Sequence, residues 1–203
     1  MLIKKYSLGP LQANCYFLIK ENDLILIDSG DEASFILEEI QRQQLNLRAI
    51  FATHCHFDHI GAVGEIQVSF DVPFYLNKED FFLVERLNET AKYFLGYNPH
   101  FLPPKNIKEL NNQTFNISGL RFTVIFTPGH TPGSSCFYFK NEKILFTGDT
   151  LFKDGVGRND FSYSSFYDLK NSVKKIFSFS PNIIIYPGHG EEALLEKIKI
   201  KLT

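Results

Sequence analysis

Five of the six histidines in this 203-residue chain fall in three short segments rich in other cation-binding groups. The first segment is Thr53-His54-Cys55-His56-Phe57-Asp58-His59. Alternate side chains of an extended segment share a face, so His54 and His56 can grip one ion while Cys55 and Phe57 point away. Asp58 and His59 sit where the chain turns into a helix and can reach a second ion; the helix N-terminus also favours the negative charge of Asp58. The other two histidine segments are Thr127-Pro128-Gly129-His130-Thr131-Pro132-Gly133 and Tyr186-Pro187-Gly188-His189-Gly190. Pro and Gly around a single His fix an exposed turn and leave the ring little to pack against. Phe146-Thr147-Gly148-Asp149-Thr150 is a strand that ends in a carboxylate.

Catalytic zinc takes nitrogen and oxygen ligands and keeps one position open. His54, His56 and His130 complete one such site, and Asp58, His59 and His189 another. Asp149 is the remaining carboxylate, and a carboxylate can bridge two ions about 3.5–4 Å apart. A lone His is ordinarily structural or solvated. Burying the H-x-H-x-D-H groups together without a cation, however, would leave charges and lone pairs unpaired. Cys55 and His100 are read as a packed thiol and a surface or pocket-rim imidazole.

These groups need a rigid frame. Residues 14–20 and 24–28 flank the polar Glu21-Asn22-Asp23 and form a hairpin. Asp28-Ser29-Gly30-Asp31 breaks the second strand and offers an N-cap to a helix carrying Phe35, Ile36, Leu37 and Ile40. Further strands are expected at 48–53, 73–76, 120–126, 135–139, 143–147 and 182–186. Helices are expected at 61–70, 78–89 and 164–177, with a terminal amphipathic helix after His189. Residues 90–113 are irregular. The mixture predicts an α/β layered fold of two packed sheets with helices outside. Each candidate ligand lies just past a strand end, where loops on a rigid core carry catalytic groups.

The length fits a single domain spanning 1–203. A net charge of -2 gives no general attraction to polyanions, so a nucleic-acid partner is not expected. Cys15, Cys55 and Cys136 are scattered and odd in number, which suits a reducing compartment. No apolar region follows Lys4 and Lys5, and no stretch reaches the roughly 18–20 apolar residues of a membrane span. A cytoplasmic protein without a membrane partner is the expectation. Phe is abundant at 21 and Trp absent, from which no function is drawn.

Asp28-Ser29-Gly30, T-H-C-H-F-D-H at 53–59, T-P-G-H-T at 127–131, G-D-T-L-F at 148–152 and P-G-H at 187–189 resemble, in order, the motifs of the metallo-β-lactamase superfamily, and most closely its glyoxalase II branch. The resemblance implies a four-layer αβ/βα sandwich with two divalent metals at one edge of the sheets. Zinc is the first choice and iron or manganese the others. It places His54, His56 and His130 on the first metal, Asp58, His59 and His189 on the second, and Asp149 between them. Asp28 is not a ligand in that family, and its implied role is to stabilise the loop beneath the site. Only fourteen residues follow His189, so no C-terminal glutathione-binding domain is expected. The chain looks like the compact bacterial members. Arg158, on the Gly155–Gly157 loop, stands where the family places a basic residue facing the thiol carrier, and a guanidinium suits a carboxylate. Tyr93, Phe94, Tyr97 and Phe101 are candidates for the pocket wall in place of the missing domain.

The implied reaction is hydrolysis of a small-molecule thioester such as S-lactoylglutathione. A water shared by two metals falls in pKa from about 15.7 towards about 7 and attacks the acyl carbon. Asp58 is placed to orient that nucleophile and carry its proton. A lactone is the next substrate. The rival enzyme is a mononuclear iron persulfide dioxygenase, suggested by Gly157-Arg158-Asn159-Asp160-Phe161 and using only His54, His130 and Asp149. A vestigial binding protein and a nuclease are further alternatives.

Overall fold

In the computed structural model, which describes residues 1–200, β1 (Leu2–Leu8), β2 (Ala13–Lys20) and β3 (Asp23–Ile27) form an antiparallel meander. β4 (Asn46–Phe51), β5 (Phe74–Leu76) and β6 (Ile107–Glu109) extend it in parallel, giving the order β1-β2-β3-β4-β5-β6. The second sheet holds β7 (Thr114–Ile117), β8 (Leu120–Phe126), β9 (Ser135–Phe139), β10 (Ile144–Gly148), β11 (Ile184–Pro187) and β12 (Ala193–Leu194). Its order is β12-β11-β10-β9-β8-β7, with β10 and β11 parallel.

The two-residue period of a strand sorts side chains into layers. Tyr16 and Leu18 of β2 and Ile25 and Ile27 of β3 join the layer between the sheets, whereas Phe17, Ile19, Leu24 and Leu26 join the opposite one. That outer layer is covered by α1 (Ala33–Arg42), α2 (Phe57–Ile60), α3 (Val63–Ser69), α4 (Phe81–Glu85) and α5 (Leu87–Leu95), through Ile36, Ile40, Ile60, Ile66, Leu83 and Leu87. On the far side, Leu169, Val173 and Ile176 of α6 (Phe166–Phe177) cover Leu145, Ile183 and Ile185. The result is the expected helix–sheet–sheet–helix sandwich. The Phe content has a use here: Phe51 stacks on Tyr75 at 4.6 Å and meets Phe115, Phe122 and Phe137 edge-on at 5.1–5.7 Å. Each such pair contributes about 0.5–1.5 kcal/mol beyond its buried area.

Several local expectations are corrected. The terminal amphipathic helix is absent from the described residues. Instead β12 pairs with β11, a 3-10 turn spans Leu195–Lys197, and Leu195 and Ile198 are buried in the layer under α6. An unpaired sheet edge and an open apolar layer outweigh local helical preference. Residues 78–89 form a 3-10 turn (Lys78–Asp80), α4 and the start of α5 rather than one helix. The 90–113 segment contains the rest of α5 and the edge strand β6, and the short strands β6 and β7 have too few residues to show a period. The Asp28-Ser29-Gly30-Asp31 segment does not cap α1: its N-cap is Glu32, whose side chain makes no cap bond.

Candidate metal centre

The two sheets deliver the histidine segments to one edge. β4 ends at Phe51, and its extension presents His54 and His56 to one side while Cys55 and Phe57 are buried among the helices. Across the sheets, Ser135 N–H donates to Thr53 O at 2.8 Å, which ties the β8–β9 connection bearing His130 to the first loop. Parallel β10 and β11 end together, with Gly148 opposite Pro187, so Asp149 and His189 emerge side by side. Gly188 is required at that crossing, because a Cβ there would collide with Asp149 Oδ1. Gly129, at φ +139°, likewise lies against the Leu169 backbone.

The seven predicted groups converge. His54 Nε2, His56 Nδ1 and His130 Nε2 form one triad, with contacts to His56 Nδ1 of 3.1 and 3.0 Å. Asp58, His59 and His189 form a second, with His189 Nε2 3.3 Å from both Asp58 Oδ2 and His59 Nε2. Asp149 stands between them: Oδ2 is 3.5 Å from His130 Nε2 and 3.7 Å from His189 Nε2, and Oδ1 is 3.6 Å from His59 Nε2.

The remaining nitrogen of every ring is bonded outside the cluster. His54 Nδ1 meets Thr53 Oγ1 at 3.2 Å, His56 Nε2 meets Tyr163 Oη at 2.9 Å and His59 Nδ1 meets Asp28 Oδ2 at 3.0 Å. His130 Nδ1 meets Arg158 O at 2.8 Å, and His189 Nδ1 meets Gln12 O at 3.2 Å. These partners can take the ring hydrogens, which leaves the five inner nitrogens available to a cation, as metal-binding histidines require. The inner nitrogens crowd at 3.0–3.3 Å, and Asp149 Oδ1 is buried without a hydrogen-bond partner. Both features fit a shared cation and are costly without one.

The charge balance points the same way. Burial holds His54 and His56 well below the ordinary value, reinforced by neighbouring histidines, so both stay neutral and able to bind metal. Burial opposes a charge on His59 too, but Asp58, Asp28 and Asp149 outweigh it and push the ring up to about 10. His189 is raised in the same way by Asp58 and Asp149 against its burial. His59 and His189 in turn outweigh burial at Asp58 and keep it ionised. The acidic half of the cluster therefore demands positive charge, as a proton or as a metal.

Two supporting residues carry no sequence signal. Asp80 is fully buried, and its carboxylate accepts from Gly133 N at 2.6 Å, Cys55 N at 3.0 Å and Thr131 Oγ1 at 2.8 Å. It thus ties the first histidine loop to the His130 loop. Burial pushes it up to about 6 against those three bonds. In the sequence it reads as an ordinary acid opening a helix. Tyr163 lies 107 residues from the ring it bonds, so no local pattern shows it.

The donor cluster floors a cleft of about 400 Å³ walled by Leu11, Phe57, Phe94, Phe152, Val156 and Phe161, with Arg158 at its side. Arg158 pairs with Asp160 at 2.9 Å and lies over the Phe161 ring at 4.6 Å. Tyr97 and Phe101 are placed elsewhere, which corrects their assignment as substrate contacts. They line a separate cavity with Asp31, Glu65 and His100. Gly96, left-handed at φ 78°, ends α5 and turns the chain away, and the Phe101 ring packs onto Gly61. Thr90 and Phe94 of the same segment face the metal-cluster cleft instead.

Fold and site together define a metal-dependent hydrolase. The chain belongs to the metallo-beta-lactamase superfamily, whose family model matches residues 8–189. It is 36% identical to the hydroxyacylglutathione hydrolase GloC of Haemophilus influenzae, over 94% of this chain and 91% of that protein. It is 33% identical to the probable metallo-hydrolase YqgX of Bacillus subtilis, over 93% and 90%. Among solved structures it superposes on TTHA1623 in a di-iron-bound form with a TM-score of 0.88, at 35% identity and 96% coverage of both chains. Among the described residues no helix is long and apolar enough to cross a membrane.

Proposed function

We propose that this chain hydrolyses a small thioester, S-lactoylglutathione or a related acyl-thiol, at a centre of two divalent ions, with zinc as the ion of choice. The carrying observation is the position of seven converging donors on the floor of an apolar cleft with a guanidinium at its wall. The name of the Haemophilus relative supports the substrate class. His54, His56 and His130 would hold one ion, Asp58, His59 and His189 the other, with Asp149 shared. Two bound ions supply Lewis acidity and acidify a water towards neutral pH.

The chain's own groups do the rest. Asp58, kept ionised by His59 and His189, orients the attacking water and takes its proton. Phe57, Phe94, Phe152 and Phe161 exclude bulk water from the acyl group. Arg158 receives a carboxylate of the thiol carrier. Its exposed pair with Asp160 is worth little, so exchanging partners costs little. A one-iron dioxygenase using His54, His130 and Asp149 would leave the second converging triad of Asp58, His59 and His189 without a use, which weighs against it.

The deciding experiment is a hydrolysis panel of thioesters, lactones and phosphodiesters on protein whose metal content is measured in the same sample. Thioester turnover with two metals per chain is expected. One iron per chain with oxygen uptake on glutathione persulfide would overturn the proposal.

A further inference from the structure

We propose that Tyr163 is a positioning residue for the first metal site, setting its affinity by fixing the tautomer of His56. The inference rests on reading the cluster as a metal centre. His56 differs from its two partners in facing the triad with Nδ1, whereas His54 and His130 face it with Nε2. An imidazole carries one hydrogen when neutral, on either nitrogen. With the hydrogen on Nδ1, His56 would point an N–H at the other two rings and could not bind a metal. With it on Nε2, the Nδ1 lone pair is free.

A metal on Nδ1 requires the hydrogen on Nε2, and the Tyr163 hydroxyl, 2.9 Å from that nitrogen, accepts it and holds the ring in the metal-binding tautomer. Its ring is held in place from two sides: Phe161 stacks on it at 5.3 Å with planes 14° apart, and Phe82 meets it edge-on at 5.2 Å. The hydroxyl therefore reaches His56 from a fixed seat. The same loop also fixes His130, because Arg158 O accepts from Nδ1 and Ser164 Oγ donates to the His130 carbonyl at 2.7 Å. The 158–164 loop thus orients two of the three rings of the first site. Its contribution to His56 comes from a side chain, which substitution can remove without moving the backbone.

The test is zinc competition against a chromophoric chelator, starting from metal-free protein. Tyr163→Phe keeps the ring and removes the acceptor. Losing such an outer partner of a metal-binding His lowers affinity by about 10–100-fold. That loss is expected at the first site, and it should persist in a His189→Ala background, where the second site is crippled. In a His56→Ala background, Tyr163→Phe should change nothing. Phe82→Leu, which loosens the ring's seat but keeps the hydroxyl, should lose less than Tyr163→Phe. If wild type binds zinc and Tyr163→Phe binds it within about twofold, the inference is overturned while the metal centre stands. An equal loss with His56 already gone would show that Tyr163 acts through packing, and overturns it too. A wild-type chain that takes up no zinc overturns the metal-centre reading and this inference together.

Discussion

Asp28 and His59 are both buried, 31 residues apart in sequence, and joined by a 3.0 Å contact between Oδ2 and Nδ1. The same Oδ2 accepts from Thr53 Oγ1 at 2.7 Å, and Thr53 Oγ1 in turn meets His54 Nδ1. One carboxylate therefore orients a ring in each triad, His59 directly and His54 through Thr53. Replacing Asp28 with Asn should lower zinc affinity at both sites, by about 10–100-fold where contact is direct and less at His54. Two-site metal titration measures this, and equal affinities in variant and wild type would refute the relay.

Stability of the metal-free protein should depend on pH through His59. Its folded value of about 10 lies above the ordinary 6.5. A raised value means that the folded state binds the proton more tightly than the unfolded chain. That stabilisation is complete below about 6.5 and is lost as pH rises through about 10. Melting temperature of the metal-free protein should therefore fall between these pH values. With zinc bound the cation replaces the proton, and the fall should flatten. Thermal scans of both forms from pH 6 to 10 test the sign.

Asp80 predicts a stability defect remote from the reacting atoms. Asp80→Ala leaves Cys55 N–H, Gly133 N–H and Thr131 O–H without their acceptor. Each orphaned buried donor costs about 1–3 kcal/mol. Asp80→Asn should also destabilise, because one amide N–H₂ would then face a backbone donor. Urea unfolding of metal-loaded protein gives the comparison, and a loss below about 1 kcal/mol for Asp80→Ala would contradict this role.

Asp58→Asn should reduce turnover by about 10²–10⁴-fold if the carboxylate carries the proton. The amide keeps the size and one oxygen but accepts no proton at neutral pH. Metal content must be measured on the same sample, so that lost turnover is separated from lost metal.

Arg158→Ala should act on binding. If the guanidinium receives the thiol carrier, KM rises by several-fold to about tenfold while kcat changes little. A fall in kcat with unchanged KM would mean instead that the loop has shifted the His130 contact, since the Arg158 carbonyl holds that ring.

Sequence alone marked the candidate ligands because their chemistry is local. His54 and His56 share a face by the period of an extended chain, and Pro-Gly on either side of a His marks a turn, although the His130 turn is buried rather than exposed. The strands β2, β3 and β10 were equally legible, since burial on both faces selects apolar residues at nearly every position, and β8 was legible from its apolar residues on one face. What needed the tertiary structure lies at long range. Asp80 and Tyr163 are bonded to loops dozens of residues away, Tyr97 and Phe101 are turned from the metal-cluster cleft by one left-handed glycine, and residues 193–194 follow a neighbouring strand edge instead of a local helical pattern. Local periodicity records which side chains want burial or a cation. Which partner each one meets is settled by packing across the sheets, where loops far apart in sequence share one edge.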